Sequence, residues 1–261
     1  MSELMLSSTY PILEFDNTRK AILEPSEHIL PGDVPAHAVI CFFAEVIQKV
    51  VHDFDGKVIF ILRSEMGEHP VYEIKFQGCR LAFFQPGIGA PLAAGLMEEV
   101  IALGVKNFIA CGGCGVLDRS ISVGKLLLPT SAIRDEGTSY HYLPPAREIT
   151  MDHDVEDVLS CVLEAHNLPF IKIKTWTTDA IYRETQSKAK LYKDEGCLAV
   201  EMETAALMAV ARFREVKFGQ ILYAGDSVMS EGWDGRAWHS RNEIRENLFW
   251  LAAEACLKLK S

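Results

Sequence analysis

No run in the 261 residues approaches the roughly 20 continuous apolar positions that a membrane-spanning helix requires. The opening stretch MSELMLSSTYPILEFDNTRK has no basic segment followed by an apolar one, so a cytoplasmic, unprocessed chain away from membranes is expected. Positive charge is scarce too. With 26 Lys and Arg against 36 Asp and Glu, the formal net charge is -10, and no local basic cluster offsets it, which argues against a nucleic-acid partner. Paired cysteines are also lacking. The seven cysteines, Cys41, Cys79, Cys111, Cys114, Cys161, Cys197 and Cys256, are odd in number and sit mostly among apolar neighbours, as reduced buried thiols do. There are no repeats and no low-complexity segments. A small-molecule ligand is what these absences leave.

What is present is ample core-forming material, 49% hydrophobic and 24% charged residues, suited to one sizeable domain. Residues 1–37, with Pro11, Pro25, Pro31 and Pro35 and no sustained periodicity, are expected to form an extended arm before a domain at 38–261. From HAVICFF onward, short apolar runs read as strands and alternate with segments of helical spacing. KVIFIL reads as a strand and VYEIKFQGCRLAFFQP as a hairpin turning at Gly78. APLAAGLMEEVIALG reads as a helix capped by Gly104, and VKNFIACGG as a strand ending in glycines. The chain continues with a helix over about 153–166, strand FIKIKTW, a helix from about Thr185, a helix in CLAVEMETAALMAV, strand FGQILYAGD and a terminal amphipathic helix. Such alternation predicts a single α/β domain with a central mixed, mostly parallel sheet flanked by helices. In such sheets ligands lie beyond the carboxyl ends of strands.

Four stretches carry chemistry. In AVEMETAAL, Glu201 and Glu203 bracket Met202 amid apolar residues, and a carboxylate accepts hydrogen bonds from both hydroxyls of a vicinal diol. A helix N-terminus attracting acids is the competing explanation, and it accounts for one Glu better than for two. ACGGCG supplies successive backbone N–H groups at Gly112, Gly113, Cys114 and Gly115 for an oxyanion, or marks a tight strand exit with positive φ. Its Cys111–Cys114 spacing lacks a second pair, so neither metal nor redox chemistry is expected. QPGIGAP lacks the third glycine and the distant acid of a dinucleotide fingerprint, leaving close helix–strand packing. Asp226 in LYAGDS is a general acid or a cap. Arg63, Arg134 and Arg183 are the candidate cations.

Taken in order, GIGAP…AAGLMEEVIALG, FIACGGCGVL, VGKLLLPTSAIRDEGTSYHYLP, TTDAIYRE, VEMETAAL and YAGDS resemble the nucleoside phosphorylase and nucleosidase superfamily, from about Val39 to the C-terminus. The resemblance implies that Glu203 holds the ribose 2′- and 3′-hydroxyls, with Met202 under the sugar and Glu201 in the same loop. It puts Ile181 and Tyr182 at the base, and Gly112, Gly113 and Cys114 at a phosphate nucleophile. Arg63 would reach a neighbouring subunit's phosphate, so a homo-oligomer, a dimer or a hexamer of dimers, is expected. For a purine, Asp226 would protonate the departing ring. The family's usual arginine before the glycines is Ala110 in this chain, its hydroxyl residue within them is Gly113, and Ala36 and His37 stand where an arginine usually follows PGD. The expected activity is phosphorolysis of a nucleoside, purine ahead of uridine, with inorganic phosphate as co-substrate and no cofactor or metal. The alternatives are a hydrolytic nucleosidase, with Glu45 activating water, and a nucleoside-binding protein without activity.

Overall fold

The apolar runs at 38–41, 81–84 and 108–111 are completely buried, as central strands covered by helices on both faces must be. They belong to a computed structural model describing residues 8–229 and 232–260. The first seven residues of the expected arm lie outside the described residues. The rest of the arm carries a 3₁₀ turn at Pro11–Leu13 and the short helix α1 (Pro25–His28). Arg214 ties it down, pairing with Glu24 at 3.2 Å and Glu98 at 2.7 Å.

The sheet then begins with β1 (His37–Cys41), α2 (Ala44–Asp53), β2 (Lys57–Ser64), β3 (Gly67–Phe76), β4 (Cys79–Phe84), α3 (Ala90–Leu103) and β5 (Asn107–Val116). It continues through β6 (Leu126–Asp135), α4 (Ser139–Tyr142), β7 (Glu148–Thr150), α5 (His153–Ala165) and β8 (Phe170–Thr178). It ends with α6 (Gln186–Asp194), β9 (Cys197–Glu201), α7 (Thr204–Arg214), β10 (Lys217–Met229), β11 (Gly232–Asp234) and α8 (Asn242–Lys258). This is the expected single α/β domain with a mixed central sheet between helices. None of the helices among the described residues is long and apolar enough to cross a membrane.

Strand order is β11-β10-β6-β8-β9-β5-β1-β4-β3-β2, with β7 paired to β6. Because β10 also pairs with β5, the strands β5, β10, β6, β8 and β9 close into a ring. The ring joins two parallel groups, β4-β1-β5-β10 and β6-β8-β9, through antiparallel contacts of β5 with β9 and β10 with β6. Ring closure brings the end of β9, the glycines of β5 and the distal part of β10 together. At the far side, β2 and β3 form a hairpin onto β4.

Two expectations are corrected. Residues Cys197–Glu201 form a strand, and the helix starts only at Thr204. A short buried strand running into a buried helix makes one apolar stretch, in which periodicity alone finds no boundary. The glycines 112, 113 and 115 form neither a loop nor a positive-φ exit: they lie within β5, and none has positive φ.

Helices α5 and α8 cover one face of the ring strands and need close approach. At Gly219 on β10, a Cβ would fall 2.6 Å from Val155 Cγ1 and 2.7 Å from Leu159 Cδ1, both on α5. Gly219→Ala is therefore expected to push α5 outward and to lower stability by about 1–3 kcal/mol in urea unfolding. An unchanged midpoint would show that α5 has slack.

Candidate active site

The two acids that bracket Met202 have separate jobs. Glu201, the last residue of β9, is only 6% exposed. Its Oε1 accepts from Thr177 Oγ1 at 2.6 Å, with Thr175 Oγ1 at 3.4 Å. Its Oε2 accepts the backbone N–H groups of Glu203 and Thr204 at 2.7 Å each. The Thr177 hydroxyl in turn accepts the N–H of Ala205 at 3.1 Å. Glu201 thus holds β8, β9 and the first turn of α7 in one knot, with both oxygens used. Burial raises its carboxyl pKa, while the donors from Thr177, Glu203 and Thr204 oppose that shift.

Glu203 is the N-cap residue of α7 and is equally buried. Its Oε1 accepts the N–H of Gly89 at 2.6 Å, and no side chain donates to it among the described residues. Burial, and then the nearby charge of Glu201, push its carboxyl up to about 8. Met202 lies half-buried between the two acids.

Gly89 joins the site although QPGIGAP suggested only packing. At Gly87 backbone and packing act together, since it has φ +75 and a Cβ there would sit 2.2 Å from Leu92 Cδ2. Gly89 has φ +93 and nothing within 4 Å of a Cβ, so it is the backbone turn, aiming an N–H at Glu203, that calls for glycine. The signal available in the sequence was a GxG immediately before a helix.

The glycines of β5 are filled in by neighbours. A Cβ on Gly112 would meet Phe42 Cδ2 at 3.2 Å, and one on Gly113 would meet the Tyr223 ring at 3.0 Å. One on Gly115 would meet Val228 at 2.9 Å, Val200 at 3.0 Å and Asp226 Oδ1 at 3.4 Å. Cys114 is buried, its thiol pKa raised far above the usual range chiefly by burial, so it is no nucleophile.

Asp226 is not at a strand end but inside β10, at the register shift between Ala224 and Ser227. Its Oδ2 accepts from Trp233 Nε1 at 2.7 Å, and its backbone carbonyl accepts from Arg236 at 3.0 Å. A second acid near it escaped sequence reasoning. Glu184 follows the 3₁₀ turn Ile181–Arg183 that leaves β8. Burial, and then the charge of Asp226, push its carboxyl up to about 7. Ile181 and Tyr182 project from the same turn, Tyr182 being 95% exposed.

The structure gathers Glu201, Met202, Glu203, Gly89, Gly115, Asp226 and the turn at 181–184 around the end of β9. Arg63 is elsewhere. It is exposed on β2, paired with Glu68, four strand positions or roughly 19 Å of sheet from β5. Arg134 is buried and spent on Ser139 Oγ and the carbonyls of Leu143 and Pro144. Arg183 is exposed on the 181–183 turn. Glu45 in α2 pairs with Arg245 of α8 at 2.5 Å.

A profile described as the phosphorylase superfamily matches residues 36–256, most of the chain. Guanosine phosphorylase of Halorubrum lacusprofundi is 31% identical over 198 residues, covering 76% of this chain and 81% of that protein. Uridine phosphorylase of Thermococcus kodakarensis is 28% identical over 152 residues, covering 58% of this chain and 54% of that one. Among solved structures, AMP nucleosidase from Bacteroides thetaiotaomicron superposes with a TM-score of 0.69 at 22% identity, over 85% of this chain and 87% of that one. The chain belongs to the phosphorylase superfamily.

The two acids should separate in stability measurements. Glu201→Ala strands buried donors and is expected to cost about 3 kcal/mol or more in urea unfolding. Glu203 titrates in the opposite sense to a salt-bridged acid. Folding raises its carboxyl from 4.5 to about 8, so its contribution is fully present below pH 4.5 and is lost as pH rises through 8. Glu203→Gln is therefore expected to be more stable than the wild type at pH 8, by about 1 kcal/mol or more, and similar to it at pH 4.5. A substitution that destabilises equally at both pH values contradicts this assignment.

Proposed function

We propose that the protein cleaves the N-glycosidic bond of a nucleoside by phosphorolysis, a purine nucleoside ahead of uridine. The observation that carries this reading is Glu203, a buried carboxylate anchored by one backbone N–H with no side-chain donor among the described residues. A ribose diol supplies two hydroxyl donors to such a group, and binding it compensates for the burial. Those same donors favour the ionised form that burial disfavours, and once bond cleavage makes the sugar cationic, Glu203 so ionised on the diol stabilises that charge. Met202 offers an apolar surface to the sugar, and Ile181 and Tyr182 to the base.

Asp226, on the wall beside Gly115, is the candidate general acid for the departing purine. Glu184 next to it holds a proton near neutrality. In this reading Gly112, Gly113 and Cys114 line the phosphate side. Arg63, exposed and remote from those glycines, is assigned to another subunit's site, which makes the working form a homo-oligomer. The relatives named for guanosine and uridine phosphorolysis support the reaction type. Hydrolysis is the second reading: Phe42 covers Gly112, and an acid, Glu45, opens α2 after β1.

Base release from guanosine, inosine, adenosine and uridine, with phosphate present and rigorously removed, tests the reading. Phosphate-dependent release with ribose 1-phosphate as product is expected. Release indifferent to phosphate establishes hydrolysis, and no release of any base leaves only binding. Glu203→Ala is expected to lower kcat/KM about 100-fold or more. Asp226→Asn is expected to slow purine cleavage more than uridine cleavage, and equal small losses would make Asp226 structural.

A further inference from the structure

The reading as a phosphorylase needs a positive charge beside the glycines of β5, and alanines occupy 110 and 36, two positions where the resemblance leads one to expect arginine. We propose that Arg245 is the cation that holds the anionic co-substrate, and that Glu45 is the internal anion which that co-substrate displaces. The proposal rests on the phosphorolytic reading above and assigns its anion ligand.

Arg245 stands in the first turn of α8, with its side chain 9% exposed. Its guanidinium carbon lies 5.0 Å from the Phe43 ring centroid, 5.4 Å from that of Trp238 and 5.9 Å from that of Tyr223, inside a cage of aromatic faces. Nε donates to the Tyr223 hydroxyl at 3.1 Å. That hydroxyl donates onward to the Trp238 carbonyl at 3.0 Å and would lie only 3.3 Å from a Cβ on Gly113, so the Tyr223 side chain that Arg245 holds packs against the glycine strand.

Two further features converge there. Helix α2 is ten residues long and begins at Ala44 with no side-chain cap, leaving first-turn N–H groups for an anion. Phe42, the link from β1 to that helix, contacts Gly112 and donates its N–H to the Cys111 carbonyl at 3.2 Å. Glu45 lies on the same first turn, with its side chain 45% exposed, and accepts from Arg245 at 2.5 Å.

A buried guanidinium requires a counter-charge, and Glu45 meets that need from the solvent side. A phosphate dianion brings more acceptors and more charge to the same guanidinium and helix terminus, so it competes with Glu45 for them. A clamp joining α2 to α8 is the rival explanation. It predicts that breaking the pair lowers stability and leaves phosphate handling unchanged.

The test measures phosphate and nucleoside KM for wild type, Glu45→Gln, Arg245→Gln and Arg245→Lys, together with calorimetric titration by inorganic phosphate alone. Glu45→Gln removes the competitor and keeps the arginine, so it is expected to lower the phosphate KM several-fold. Arg245→Gln is expected to raise it about tenfold or more, Arg245→Lys to recover part of that loss, and the nucleoside KM to stay within about twofold. If Arg245→Gln does not fold, the Glu45→Gln arm decides alone. A phosphate KM and titration unmoved by these substitutions, with only thermal stability changed, would overturn the proposal. Phosphate-independent cleavage by the wild type overturns the phosphorolytic reading instead. In that case Arg245-dependent phosphate binding still sustains the anion assignment, and absence of such binding removes it.

Discussion

The Glu201 carboxylate is the constraint on which the candidate site depends. Stripping a charge of water inside a protein costs several kcal/mol unless donors replace the water. Here a threonine hydroxyl and two backbone N–H groups do so at 2.6–2.7 Å. Those donors come from three elements, β8, the β9–α7 turn and α7. Satisfying one acid therefore fixes the junction that sets Glu203 in place. The second acid is then free of structural duty, apart from the Gly89 N–H that orients it.

Ring closure does the rest of the placement. Because β10 pairs with β5 while β9 pairs with β5 near its end, Asp226 and Val200 are carried from two different strands to the same spot in front of Gly115. A flat sheet would hold these groups several strands apart. The bare backbone of β5 makes the closure possible, since side chains at 113 and 115 would collide with Tyr223, Val200 and Val228.

Much of this was legible in the sequence. The alternation of apolar strands and periodic helices gave the α/β domain, and the turn at Gly78 and the cap at Gly104 fall where local chemistry puts them. The pair Glu201 and Glu203 stood out because acids amid apolar residues are rare. What stayed hidden depended on partners distant in the chain. Glu201's satisfaction comes from β8, 24 residues earlier, and Gly89 meets Glu203 across 114 residues. Period could not separate β9 from α7, and glycines that read as a loop are glycines because neighbouring strands bring bulky side chains against them. Glu184 carried no signal at all: an acid in a polar segment acquires meaning only when folding sets it near Asp226.

The turn at 181–184 differs from everything around it. Glu203 is built into the junction of a strand and a helix, whereas Ile181, Tyr182 and Glu184 sit on a short connection between β8 and α6. On the proposed reading, sugar recognition belongs to the scaffold and base recognition, apart from Asp226 of β10, to an appendage. Such a protein can exchange one leaving group for another by rewriting a handful of residues, with its sugar grip and its folding stability inherited intact.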